Sequence, residues 1–151
     1  MKPNTIRPIA ICVFRHDDRI LAIEFRRPDS GAIFYRPAGG GIEFGEHSAD
    51  TMRRELREEL GAEVRDLRYL GTLENVFTYD GQVGHEIVMV YDGVFADPTL
   101  YDRPVLEGLD DGATVLRLVW LSLAGCRRPD APPLYPTGLL ELLDEDLAPQ
   151  R

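Results

Sequence analysis

Glu55, Glu58 and Glu59 are spaced to put three carboxylates on one side of a helix. At 100° per residue Glu59 lies at about +40° and Glu58 at about −60° from Glu55. Like charges so placed repel, and a cation among them relieves the repulsion. Carboxylate oxygens are hard ligands suited to Mg2+, and Mn2+ takes the same atoms. A divalent ion bound this way commonly bridges protein carboxylates to phosphate oxygens. The plainer reading is a solvated, acid-rich helix whose Arg53, Arg54 and Arg57 offset the glutamates through i,i+3 and i,i+4 pairs.

The elements that must position these acids are legible around them. Ala49, Met52, Leu56 and Leu60 fall between roughly +60° and +140°, a separate apolar stripe that anchors the helix on a core. His47 or Ser48 is placed to cap its start, and Gly61 is a left-handed C-cap candidate. Ahead of it Gly39, Gly40 and Gly41 read as a glycine-rich turn open to close approach. That turn lacks the Gly-Lys-Ser/Thr of a Walker loop, and Phe44 breaks a GxGxxG pattern, so neither a P-loop nor a Rossmann site is expected.

The full stretch is GGIEFGEHSADTMRRELREELGA, Gly40 to Ala62. It runs Gly40, five residues, Glu46, seven residues, Arg54-Glu55-Leu56, Arg57, Glu58-Glu59, Leu60, Gly61-Ala62. This spacing matches the Nudix box without gap or substitution. At a usage of ~7% per residue type, its fixed Gly, Glu and Arg positions recur by chance at on the order of 10⁻⁸ per start site. The chain therefore resembles the Nudix hydrolases, which cleave the pyrophosphate of a nucleoside diphosphate linked to another moiety. Ala38, before the box, stands where the family more often has a proline or larger apolar residue.

The resemblance implies an αβα sandwich, α+β or α/β in class, with a mixed β-sheet between helices. It implies Mg2+ or Mn2+ held by Glu55, Glu58 and Glu59, with a carbonyl of the Gly39-Gly40 turn completing the shell. Arg54 would orient a carboxylate by a bidentate contact. Glu46 is open between a ligand, an acceptor for another side chain, and an acid that favours the helix dipole. The general base is a box glutamate or an acid outside the box, with Glu86, Glu107, Asp110 and Asp111 as candidates. Glu86, beside His85 at the start of a strand, is the choice; its plain alternative is an exposed strand-end acid.

The expected substrate is a small nucleoside diphosphate derivative: a nucleotide-sugar, ADP-ribose, a dinucleoside polyphosphate or a nucleoside triphosphate; capped RNA ends present the same group, and the net charge weighs against long RNA. A non-catalytic nucleotide-binding or regulatory module of the same fold is the alternative, disfavoured because such modules lose box acids. The family fold also hosts an isoprenoid diphosphate isomerase that uses a cysteine, and neither Cys12 nor Cys126 lies near the site segment.

At 151 residues the chain reads as one domain. A formal charge of −9 repels nucleic acid and anionic membranes, so a phosphate substrate needs a cation in between. The two cysteines form no zinc pattern and read as free thiols. No apolar run is long enough to span a bilayer, and MKPNTIRP lacks a signal-peptide pattern, so the expected compartment is the cytoplasm. Oligomeric state stays open, a homodimer included.

Along the chain, Ile6 to Arg15 and Arg19 to Arg26 read as strands joined in a hairpin, and Ile33 to Arg36 as a short strand. Glu63 to Tyr79 and His85 to Ala96 form a second hairpin with a five-residue connection. Their Phe77, Tyr79, Tyr91 and Phe95 serve either a base stack or the core. Asp97 to Gly112 reads as a polar loop, Val115 to Leu123 as a strand, and Thr137 to Leu147 as a last helix capped by Thr137.

Overall fold

The computed structural model describes residues 2–146. Eight strands appear in the order β1 (Ile6–His16), β2 (Arg19–Arg26), β3 (Ile33–Arg36), β4 (Ala38–Gly41), β5 (Val64–Tyr79), β6 (Gln82–Phe95), β7 (Val105–Asp110) and β8 (Thr114–Ser122). The helices are α1 (Ser48–Leu60), α2 (Leu123–Cys126) and α3 (Leu139–Glu145), with a 3-10 turn at Pro98–Asp102. The sheet order is β5-β6-β1-β2-β8-β7, with β3 pairing β2 and β4 pairing β1. β1 runs parallel to β6 and antiparallel to β2 and β4, which makes the sheet mixed.

The apolar run of β1 explains the layering. Ala10, Cys12 and Phe14 point to one face and pack with Met52 and Leu56 of α1. Ile9, Ile11 and Val13 point to the other and pack with Val88, Val90, Leu123, Leu139 and Leu143. A strand covered on both faces reads as a continuous hydrophobic run because neither set of alternate side chains meets water. The sheet thus lies between α1 on one side and α2 with α3 on the other, the sandwich expected. Met52 and Leu56 are fully buried, each contributing about 1.5–3 kcal/mol of transfer free energy.

The box helix starts after His47, whose side chain makes no cap bond, while Ser48 Oγ is 2.6 Å from the Tyr91 hydroxyl. It ends at Gly61, left-handed at φ 61°, whose N–H donates to the Arg57 carbonyl.

Several expectations are corrected. The three glycines lie in β4, a strand hydrogen-bonded to β1, not in a turn: a Cβ on Gly39 would sit 2.0 Å from the Ala10 carbonyl oxygen, so only a glycine lets the chains approach this closely. The β5–β6 connection is Asp80-Gly81, both at positive φ, a tight hairpin where five residues were expected. The stretch read as a polar loop contains β7, whose Leu106 and Gly108 face inward on either side of the exposed Glu107. The last helix begins at Leu139 after Gly138, not at Thr137, whose N–H instead approaches Asn75 Oδ1 at 3.4 Å. Leu147, its expected end, lies outside the described residues.

Candidate active site

A cleft of about 1190 Å³ opens where α1, β4, β6 and the end of β7 meet. Its lining includes Arg36, Gly40, Glu55, Glu59, Glu86 and Asp110. α1 positions the box acids because the apolar stripe beside them is sunk in the core. Packing then separates them. Glu59 is only 7% exposed, the Glu55 side chain is 16% exposed, and that of Glu58 is 60% exposed.

Burial pushes the Glu59 carboxyl up to about 8; Glu55 and Asp110 add to the rise, while Arg36 and the Gly39 N–H oppose it. Its Oε1 is buried and, among the described residues, has no hydrogen-bond partner. Glu55 is also raised by burial, against the pull of Arg54. Gly40 lies hard against it: a Cβ there would stand 2.5 Å from the Glu55 carboxylate.

Arg54 is the hub of this corner. Its Nη1 donates to Glu55 Oε1 at 3.0 Å and to Glu58 Oε2 at 3.4 Å, its Nη2 to the Gly41 carbonyl at 3.1 Å, and its fork takes both oxygens of Glu46. Glu46 is thereby held down at about 2, by the Arg54 bonds first and by the Thr51 hydroxyl second. In this arrangement Glu46 is an acceptor that anchors Arg54.

Glu86 is 7% exposed, inside β6 and paired only loosely with Arg7 at 3.7 Å, so the exposed strand-end alternative is overturned. Asp110 and Asp111 share the cleft with it. Glu107 does not line it: it is an exposed residue of β7 opposite Arg117 of β8, in a strand where a polar loop was expected.

Among the described residues no three His, Cys, Asp or Glu side chains already stand together as a metal cluster. The glutamates share the cleft, but Glu58 leans to Arg54 and Glu59 inward. Their chemistry nevertheless fits Mg2+ or Mn2+. The donors are all oxygen, and among the described residues Glu59 presents a buried oxygen with no hydrogen-bond partner.

A model of the NUDIX domain matches residues 5–136. The chain belongs to the Nudix family of hydrolases. A NAD-capped RNA hydrolase NudC from Klebsiella pneumoniae (strain 342) is 30% identical over 131 residues, covering 81% of this chain and 49% of that protein. One of the same name from Actinobacillus succinogenes is 28% identical over 130 residues, with 80% and 49% covered. The chain spans about half the length of these curated relatives. Among solved structures, a MutT NUDIX hydrolase from Burkholderia pseudomallei superposes at TM-score 0.61 with 20% identity, covering 95% of this chain and all of that one. A NUDIX hydrolase from Nitrosomonas europaea gives 0.60 at 23%, covering 95% and 87%. At these identities the structures speak to the Nudix fold alone.

Two features of the site were missed in the sequence. One is Arg36, which ends β3 immediately before Pro37 and lines the cleft. Burial lowers its guanidinium, while Glu59 and Glu86 pull the other way. The other is an aromatic recess of about 180 Å³ beside the cleft, walled by Phe25, Phe34, Phe77, Tyr79 and Tyr135. Phe77 and Tyr79 were weighed as base-stacking residues and do line it, whereas Tyr91 and Phe95 belong to the core. Phe34 stacks on Phe25 at 5.1 Å and meets Tyr135 edge-on at 5.8 Å.

Proposed function

We propose that this chain is a divalent-metal-dependent hydrolase that cleaves the pyrophosphate bond of a nucleoside diphosphate linked to another moiety. Glu59 carries the reading: a buried carboxylate with an unpartnered oxygen, on the same helix as Glu55 and opposite the Arg36 cation. Glu55, Glu58 and Glu59, with the Gly40 backbone beside them, would hold Mg2+ or Mn2+. When bound, the ion supplies positive charge to phosphate oxygens as the bridge breaks. Arg54 orients Glu55 through Nη1 and is itself held by Glu46. Glu86 takes the proton of the attacking water, and its burial keeps competing solvent away from that carboxylate. One water is consumed: its oxygen bonds to one phosphorus, the bond from that phosphorus to the bridging oxygen breaks, and each product carries a phosphate end.

The aromatic recess favours a substrate with a planar ring at one end. The names of the curated relatives place an NAD-type pyrophosphate and a capped RNA end among the compounds to test, despite the charge of −9. No helix among the described residues is long and apolar enough to cross a membrane, and a cytoplasmic location belongs to the same proposal.

The test is a panel of NAD+, ADP-ribose, a nucleotide-sugar, a dinucleoside polyphosphate, nucleoside triphosphates and NAD-capped RNA, with Mg2+ or Mn2+ and product identification. Hydrolysis at the pyrophosphate, abolished by chelator, is expected. Full turnover in excess chelator would sink the reading; metal-dependent binding without turnover would turn it to the non-catalytic module.

A further inference from the structure

We propose that Arg36 binds a phosphate oxygen of the substrate at the junction of the carboxylate cleft and the aromatic recess. The inference rests on the pyrophosphohydrolase reading and names the cation that this reading requires. Both cavities share Phe25, Arg36 and Glu86, so a ligand that spans them passes the Arg36 side chain.

The other arginines nearby are engaged. Arg54 is committed to Glu46 and Glu55, Arg7 is within 3.7 Å of Glu86, and Arg27 donates to the Thr78 carbonyl at 3.0 Å and the Tyr135 hydroxyl at 3.2 Å. Arg36 differs. Among the described residues its side chain makes one hydrogen bond, a long one, 3.3 Å from Nη2 to the neutral Gly39 carbonyl. Among the same residues its buried Nε has no acceptor and it forms no ion pair. Glu59 and Glu86 reach it through their field only.

A guanidinium offers five donors in a rigid fork; among the described residues this one uses a single donor, on Gly39, and its buried Nε–H has no acceptor. Arg36 Cζ lies over the Phe25 ring, 5.6 Å from its centroid, a cation–π contact that restrains the side chain before an acceptor arrives. An anion with several oxygens, a phosphate, matches both the fork and the missing charge. Arg36 thus supplies the positive charge that a chain of net −9 needs where a polyanion enters.

The experiment measures binding of α,β-methylene-ADP with Mg2+ and, separately, of adenosine, to wild type, Arg36→Gln and Arg36→Lys. Arg36→Gln is expected to weaken methylene-ADP by about ten- to a hundredfold and Arg36→Lys by less, with adenosine within about twofold in both. Unchanged methylene-ADP affinity in Arg36→Gln, or an equal loss for both ligands as a collapsed site would give, overturns the proposal. Wild type gives a readout that needs no variant: the Arg36 Nε–H resonance should shift with methylene-ADP and Mg2+ but not with adenosine, and an unmoved resonance overturns it as well. If no compound of the substrate panel is turned over while Arg36-dependent binding persists, the hydrolase reading falls and Arg36 is the phosphate contact of a non-catalytic binding module.

Discussion

Arg54 grips Glu46 in a two-bonded fork, Nε to Oε2 at 2.8 Å and Nη2 to Oε1 at 2.9 Å. Thr51 Oγ1 donates to the same carboxylate at 2.6 Å and the Glu43 N–H at 3.2 Å, so Glu46 is satisfied by the protein itself. Through Nη1 the grip extends to Glu55. The fixed spacing from Glu46 to Arg54 in the box thereby acquires a physical reason: the loop acid immobilises the arginine that steers the helix acid.

This pair predicts an acid-side stability term. Glu46 sits at about 2 in the folded chain against an ordinary 4.5. The folded state therefore binds fewer protons than the unfolded one, so the contribution is complete above the ordinary value and is lost as pH falls through about 2. Thermal unfolding of wild type and Glu46→Gln should show a gap that is constant near neutrality and closes below pH 4.5. Parallel curves down to pH 2 would contradict it.

Glu59 predicts the opposite slope. Its carboxyl is raised from 4.5 to about 8, so the folded, metal-free chain holds a proton that the unfolded chain has lost. Stability should fall as pH rises between those values. In chelator, wild type should lose thermal stability across this window while Glu59→Gln stays nearly flat, and Mg2+ should restore wild type only. A wild-type profile as flat as that of the variant would show that Glu59 is not proton-loaded.

Gly40→Ala tests the close approach of β4 to α1. The added Cβ meets the end of a flexible side chain, the Glu55 carboxylate at 2.5 Å, so the fold can adjust but Glu55 must move. We expect roughly tenfold or greater loss of kcat with a change in stability below about 1 kcal/mol. Retained kcat on the best substrate would mean that Glu55 has room to turn aside.

Glu86→Gln should lower kcat by on the order of 10²-fold with metal-dependent binding of methylene-ADP preserved. Glu107→Gln, on an exposed strand position outside the cleft, should change neither. A loss at Glu107 with none at Glu86 would move the base to β7, and Asp110 at its end and Asp111 in the turn after it would be the next residues to exchange.

How much of this was legible in the sequence follows from the range of the forces involved. The box helix, its apolar stripe and its stop at Gly61 are local properties of consecutive residues, and the double-sided burial of β1 is written in its unbroken apolar run. Other features depend on partners distant in the chain. β4 has almost no side chains to announce a strand and exists because β1 lies alongside it; β7 alternates, but acids and a glycine mask the pattern. Helical angles put three glutamates on one face, yet only packing against β4 and β7 buries Glu59 and leaves Glu58 outside. Arg36, Glu86 and the aromatic recess are assembled from β2, β3, β5, β6 and the loop at Tyr135, across separations that no local periodicity reports. The identity of the acids was therefore a matter of sequence, while their unequal burial, the placing of Arg36 opposite them and the recess beside them were decided by the sheet.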